Sequence, residues 1–371
     1  MRVESDQADV AAALQRMAAT IRAEGGFVAD DFTVRVRDRQ LSCAIADQPG
    51  EAGRLLVSYP TSLQVPMSVL AWADNPNAME LADPSAPAPR GRLGRPQRSL
   101  LEDWLEIINA VDRVAHVRAS VPEHAIADPA VRHHLADAGY PALREPNTDE
   151  AVRQTVIAWH SSGAGTAPDG SQRWRLIPLK HLVNHHPDGA DQVPVPGRTA
   201  VATSATSDAV ETFENYGDLD ALQLLTFFGY VDRSAPLVHS VPVEVESPAV
   251  GRVVVRWRAP RNPRAAEARD VPEIAPLDGE VGGLAIRHLT IRPDNRARVA
   301  AYLSMACQSI GGLEAPRARR EGEGILDSIL AANEAYYQGL DRLLAASADP
   351  FLPLVEVSLL QQQRLREMWG C

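Results

Sequence analysis

Polar and apolar residues alternate along this chain with two different periods, and the switches between them mark out its elements. Residues 5–24 carry Val10, Leu14, Met17 and Ile21 at helical spacing, and Gly25-Gly26 follows as a stop. Thr33–Val36 and Leu55–Tyr59 alternate with the period of strands, with the turn-forming run Asp47-Gln48-Pro49-Gly50 between them, and together they predict a small antiparallel unit. Ser99 stands where a helix N-cap would, ahead of Leu101, Trp104, Leu105, Ile108 and Val111 on one face. A further helix is predicted over 149–160. After it come a polar break (161–172), an apolar stretch (174–183) and a strand at Thr199–Ala202. Two strands, Val241–Val245 and Arg252–Trp257, lead into a helical tail over 294–308, 323–346 and 353–369. In the long tail helix Asn333 shares the apolar stripe of Leu326, Ile329, Leu330, Tyr337 and Leu340.

Between these elements, residues 83–98 and 259–272 are rich in Pro, Arg and Ala and have no apolar period to bury, so they read as solvated connectors. His133-His134 reads as a solvated pair, since no carboxylate stands at ligand spacing. Ser161–Gly165 resembles a phosphate loop only in its glycines and has no lysine after it.

At 371 residues, with 45% hydrophobic and 23% charged residues, the chain has the make-up of a folded globular protein of more than one unit. A net charge of −11 leaves no global basic field for a phosphate backbone, which argues against nucleic acid as a partner. Three scattered cysteines, Cys43, Cys307 and Cys371, do not make a disulfide framework or a four-thiolate metal site and fit a reducing compartment. The first residues carry no apolar secretory core and no run of 18 apolar residues occurs, so the expected location is the cytoplasm, with no membrane partner. Of 37 basic residues, Lys180 alone is lysine.

Two segments concentrate the chemistry. The first is Leu176-Ile177-Pro178-Leu179-Lys180-His181-Leu182-Val183-Asn184-His185. The second is Glu211-Thr212-Phe213-Glu214-Asn215-Tyr216-Gly217, continuing through Leu224-Leu225-Thr226-Phe227-Phe228-Gly229-Tyr230-Val231. In order and spacing they resemble the SET-domain protein methyltransferases, in particular the Rubisco large-subunit methyltransferase-like branch. That branch pairs a Pro-x-x-Asp-x-x-Asn-His segment with a later Tyr-Gly and a Leu-Leu-x-x-Tyr-Gly-Phe-Val-like run.

The resemblance implies an α+β fold: a SET-like β domain over 1–240 with a pseudoknot and a helical insert at about 99–165, then a mostly helical substrate-binding-like lobe over 241–371. It implies S-adenosyl-L-methionine as cofactor, held by Asn184 and His185, with Tyr216 as the catalytic residue. Phe227, Phe228 and Tyr230 would line the substrate channel. The implied activity is N-methylation of a protein or peptide side chain, lysine first and histidine second. The alternative is a SET fold reused without methyl transfer, either as a small-molecule biosynthetic enzyme or as a protein-binding scaffold. Three departures from the family pattern bear on that choice: Leu41-Ser42-Cys43 stands where the family has a Gly-x-Gly turn, His181 replaces its aspartate, and Phe228 replaces a tyrosine. A metal site at His181, His185, His186 and Asp188 is not expected, because the glutamate of the His-Glu-x-x-His pattern is missing and a Pro-Asp-Gly turn follows.

Overall fold

The computed structural model describes residues 1–45, 53–66, 69–75, 77–81, 93–118, 128–137, 149, 152–153, 156, 161–166, 172–176, 179–190, 193–195, 197–202, 210–256, 271–277, 283–348 and 350–370. The fold mixes helices and strands in two compact units. Residues 1–120 with 152–217 form one unit, and residues 121–151 with 218–371 form the other. A boundary at 240 is expected from the sequence, but residues 218–240 go with the second unit. The reason lies in the helix Ala221–Phe228, whose Leu222, Leu224 and Leu225 are buried in that unit's core.

In the first unit, α1 (Ala8–Ala23) buries Val10, Ala13, Leu14, Met17 and Ile21 and packs on α2 (Arg95–Ala110), which buries Leu100, Leu101, Trp104, Ile107 and Ile108. Each such leucine or methionine contributes about 1.5–3 kcal/mol relative to exposure. Helix α2 starts four residues before Ser99, which is therefore not its cap. Gly94 takes that place, its N–H donating to the Gln97 side chain at 3.0 Å, and Pro96 is tolerated in the first turn. The short α3 (Arg113–Arg118) follows.

The strands of this unit pair differently from the single small unit expected. Phe32–Arg37 pairs antiparallel with Gln40–Ile45 and parallel with Arg2–Ser5. Asp38 and Arg39 both have positive φ (51° and 63°), the geometry of a tight two-residue hairpin turn, but neither is a glycine or asparagine that would advertise it. Leu55–Pro60 belongs to another sheet, between Phe27–Val28 and Arg198–Ala202, with Val193–Val195 at its edge. Leu41-Ser42-Cys43 is thus regular strand, opposite Val36, Arg35 and Val34.

The second unit joins α4 (Pro129–Asp137), α5 (Ala221–Phe228), α6 (Arg296–Ser309), α7 (Ala315–Ala346) and α8 (Leu352–Trp369) to a four-stranded sheet. That sheet runs Val243–Ser247, Gly251–Arg256, Leu284–Arg287, Glu273–Pro276. Asn333, fully buried on α7, has its polar atoms answered: its Nδ2 donates to Ser240 Oγ (2.8 Å) and Ile329 O (2.8 Å), and its Oδ1 accepts from Val241 N–H (2.9 Å). His134 is not a solvated side chain. It stacks on Tyr336 at 4.1 Å and lies 3.0 Å from that residue's carbonyl, tying α4 to α7. Most of the helix expected over 149–160, the connector residues 82–92 and most of 259–272 lie outside the described residues. Among the described residues no helix is long and apolar enough to cross a membrane.

Candidate functional site

The first motif segment and the start of the second, Glu211–Gly217, meet in the first unit. Leu179 turns the first of them with a left-handed φ of 61°, a conformation that costs a non-glycine residue about 1–3 kcal/mol. One turn of 3-10 helix follows over Lys180–Leu182, and the chain then straightens into the strand Asn184–Ala190. This strand pairs in parallel with Phe213–Glu214, setting Asn184 opposite Phe213 and His185 opposite Glu214. Gly189 permits the closeness of the two chains, because a Cβ there would lie 2.5 Å from the Glu214 carbonyl carbon.

Tyr216 leaves the end of this ladder held at both ends. Its backbone N–H donates to His185 Nδ1 at 3.0 Å, and its phenol donates to the Val183 carbonyl at 2.6 Å. Accepting that N–H at Nδ1 puts the proton of a neutral His185 on Nε2. The two rings lie 5.1 Å apart. Asn215 adds two ties, Nδ2 to the Pro187 carbonyl (3.1 Å) and N–H to the Ala190 carbonyl (2.9 Å). On α3, Arg113 is within electrostatic reach of Tyr216. Burial lowers its pKa, and the interaction with Tyr216 opposes that shift.

Asn184 is exposed, and its Nδ2 donates to Glu211 Oε1 at 2.6 Å and, at 3.5 Å, to the Leu41 carbonyl. The strand Gln40–Ile45 therefore borders Asn184 directly. Cys43, two residues along it, is buried with its thiol donating to the Leu182 carbonyl at 3.3 Å. Beneath the ladder Lys180 and Glu214 form an ion pair at 2.9 Å, both side chains almost wholly buried.

Asn184, His185 and Tyr216 are thus brought together. Phe228 and Tyr230 lie in the second unit, half-buried against its core, where burial pushes the Tyr230 phenol pKa up; Phe227 belongs to α5. The histidines near Asn184 face separate partners: His181 lies edge-on to Trp104 at 6.4 Å, His185 takes Tyr216 N–H, and His186 Nδ1 accepts from Asp188 N–H at 3.1 Å. Among the described residues no group of three or more histidine, cysteine or acidic side chains is arranged to hold a metal. Sequence reasoning assigned no role to Glu211, Glu214 or Gly189. A carboxylate on a two-residue strand carries no periodic signal of burial.

No protein-family model and no curated protein matches the chain. Among solved structures it is similar to the SET domain of LSMT bound to lysine and AdoHcy, at 12% identity and a TM-score of 0.45, over 97% of this chain and 90% of that one.

Proposed function

We propose that the protein is an S-adenosyl-L-methionine-dependent N-methyltransferase with a SET-like, pseudoknotted first unit, acting in the cytoplasm on a protein or peptide side chain, lysine first and histidine second. The observation that carries this reading is the ladder that sets Asn184-His185 beside Tyr216, two segments whose residues resemble the two motifs of that family. The donor set fits a cationic cofactor. Asn184 Oδ1 and the Glu211 carboxylate bonded to its Nδ2 are acceptors, the kind of group that a ligand carrying an ammonium and a sulfonium calls for.

When bound, the cofactor supplies a methyl group already activated on sulfur. What is left to the chain is alignment and charge. Tyr216, its phenol neutral and fixed on Val183, orients the incoming amine with its oxygen dipole. Asn184 and His185 would hold the cofactor, and the chain's own part would be to admit the acceptor amine as its free base, a form that burial favours, and to align it at Tyr216.

Calorimetric titration with S-adenosylmethionine and S-adenosylhomocysteine tests the cofactor. Binding of both is expected, weakened about tenfold or more in Asn184→Ala, the scale of one charge-assisted hydrogen bond. Absence of binding to the unaltered protein would refute the reading. With an acceptor in hand, Tyr216→Phe is expected to lower turnover by about 100-fold while leaving cofactor affinity within about twofold.

One observation favours a second reading, in which the fold is reused without methyl transfer as a small-molecule enzyme or a binding scaffold. The amide of Asn184 is already engaged by Glu211 and reaches the Leu41 carbonyl of a regular strand, where the family has a glycine turn. Under that reading neither sulfur compound binds, and for the scaffold Tyr216→Phe has no functional effect.

A further inference from the structure

The ladder between Asn184–Ala190 and Phe213–Glu214 is short, so few backbone hydrogen bonds hold its register. Only Asn184 and His185 pair in sequence with Phe213 and Glu214, and the pairing then breaks, with Ala190 also opposite Glu214. Backbone hydrogen bonds repeat along a strand except at Pro187, which has no N–H, so a slip of one position is opposed chiefly by side chains. Such a slip would move Tyr216 by about 3.3 Å and turn its side chain to the other face.

We infer that the buried Lys180–Glu214 ion pair is a register key that positions Tyr216 beside Asn184 and His185. Both charges are deeply buried, with side-chain exposures of 8% and 2%, and they meet at 2.9 Å. After a slip of one position Glu214 faces away from Lys180 and the two charges lose each other, a change far costlier than the loss of a neutral hydrogen bond. Gly189 acts in the same direction, since the Glu214 backbone rests where a Cβ on residue 189 would sit. The choice of lysine is consistent. In a chain whose other basic residues are all arginine, this position holds the compact ammonium that can meet one carboxylate oxygen, and a guanidinium would bring five donors in a rigid fork. Lys180 and Glu214 are positioning residues, and their functional meaning rests on the proposed role of Tyr216.

The test places 3-fluorotyrosine at position 216 alone in the full-length protein and records its ¹⁹F spectrum without cofactor. The unaltered protein is expected to give one resonance. Lys180→Met with Glu214→Leu removes both charges together, so the fold and its melting temperature are expected to persist while the Tyr216 resonance moves or splits. Lys180→Arg, which keeps the charge, is expected to move it as well. A single resonance at the unaltered position in the double variant overturns the inference. Should the double variant not fold, Glu214→Gln, equal in size and uncharged, is read by the same two outcomes. S-adenosylhomocysteine is then titrated into each sample. Failure of the unaltered protein to bind it rejects the cofactor reading, while the register is still decided by the resonance. Loss of binding in the double variant with an unmoved resonance counts against the register key.

Discussion

Tyr216 shows what a single residue's surroundings add to its identity. A tyrosine before a glycine is an ordinary turn residue. Here its phenol and its backbone N–H are both committed, to Val183 and to His185. The residue types at Asn184, His185 and Tyr216 were legible because the family motifs name them. Their partners were not, because Glu211 and Glu214 come from a segment well separated in sequence from Asn184 and Lys180, and no local pattern encodes that pairing. The cysteines make a similar point. Burial raises the Cys43 thiol pKa, and that of Cys307 is pushed up to about 11, so both stay protonated and unreactive at neutral and mildly alkaline pH. Treatment of the folded protein with iodoacetamide at about pH 8 is expected to leave both unmodified by peptide mass spectrometry, and denaturation to expose them. Rapid native labelling of Cys43 would show that the strand Gln40–Ile45 opens.

Among the elements, helices followed from their 3.6-residue period, and their ends did not. Helix α7 is expected from Glu323 but begins at Ala315, with Pro316 in its first turn, because Arg317, Arg319 and Arg320 are solvated and show no apolar period. The hairpin closed by Asp38-Arg39 has no sequence signature for a related reason: its backbone requires left-handed residues that its side chains do not announce. Helix α5 is the best anchored. The buried Asp220 accepts from Gln223 N–H at 2.8 Å with one oxygen and from His239 N–H at 2.9 Å with the other, while the Gln223 side chain accepts from Asp220 N–H in return. Asp220→Ala removes a cap and leaves a buried N–H unanswered. It is expected to lower stability by about 2–4 kcal/mol, read as a shifted urea midpoint with the slope unchanged.

For the molecule as a whole, charge makes a claim that no single element makes. With a net charge of −11, the protein is expected to show no saturable binding to duplex DNA below about 100 μM at 0.15 M salt, the range in which non-specific binders act. Fluorescence anisotropy with a labelled duplex checks this, and salt-sensitive binding in the micromolar range would contradict it. The order of amino acids was enough to settle the kind of material and its vocabulary: a folded α+β chain, the faces of its long helices and several of its strands. These are local properties, set by side-chain type and by periods of 2 and 3.6 residues. Which strands pair, that residues 121–151 and 218–240 belong with the helical tail, and that the one lysine lies under the ladder against Glu214 came only with the folded chain. Those choices depend on which distant surfaces can be buried together without stranding a polar group or a charge. That free energy belongs to pairs of segments, and neither segment carries it alone.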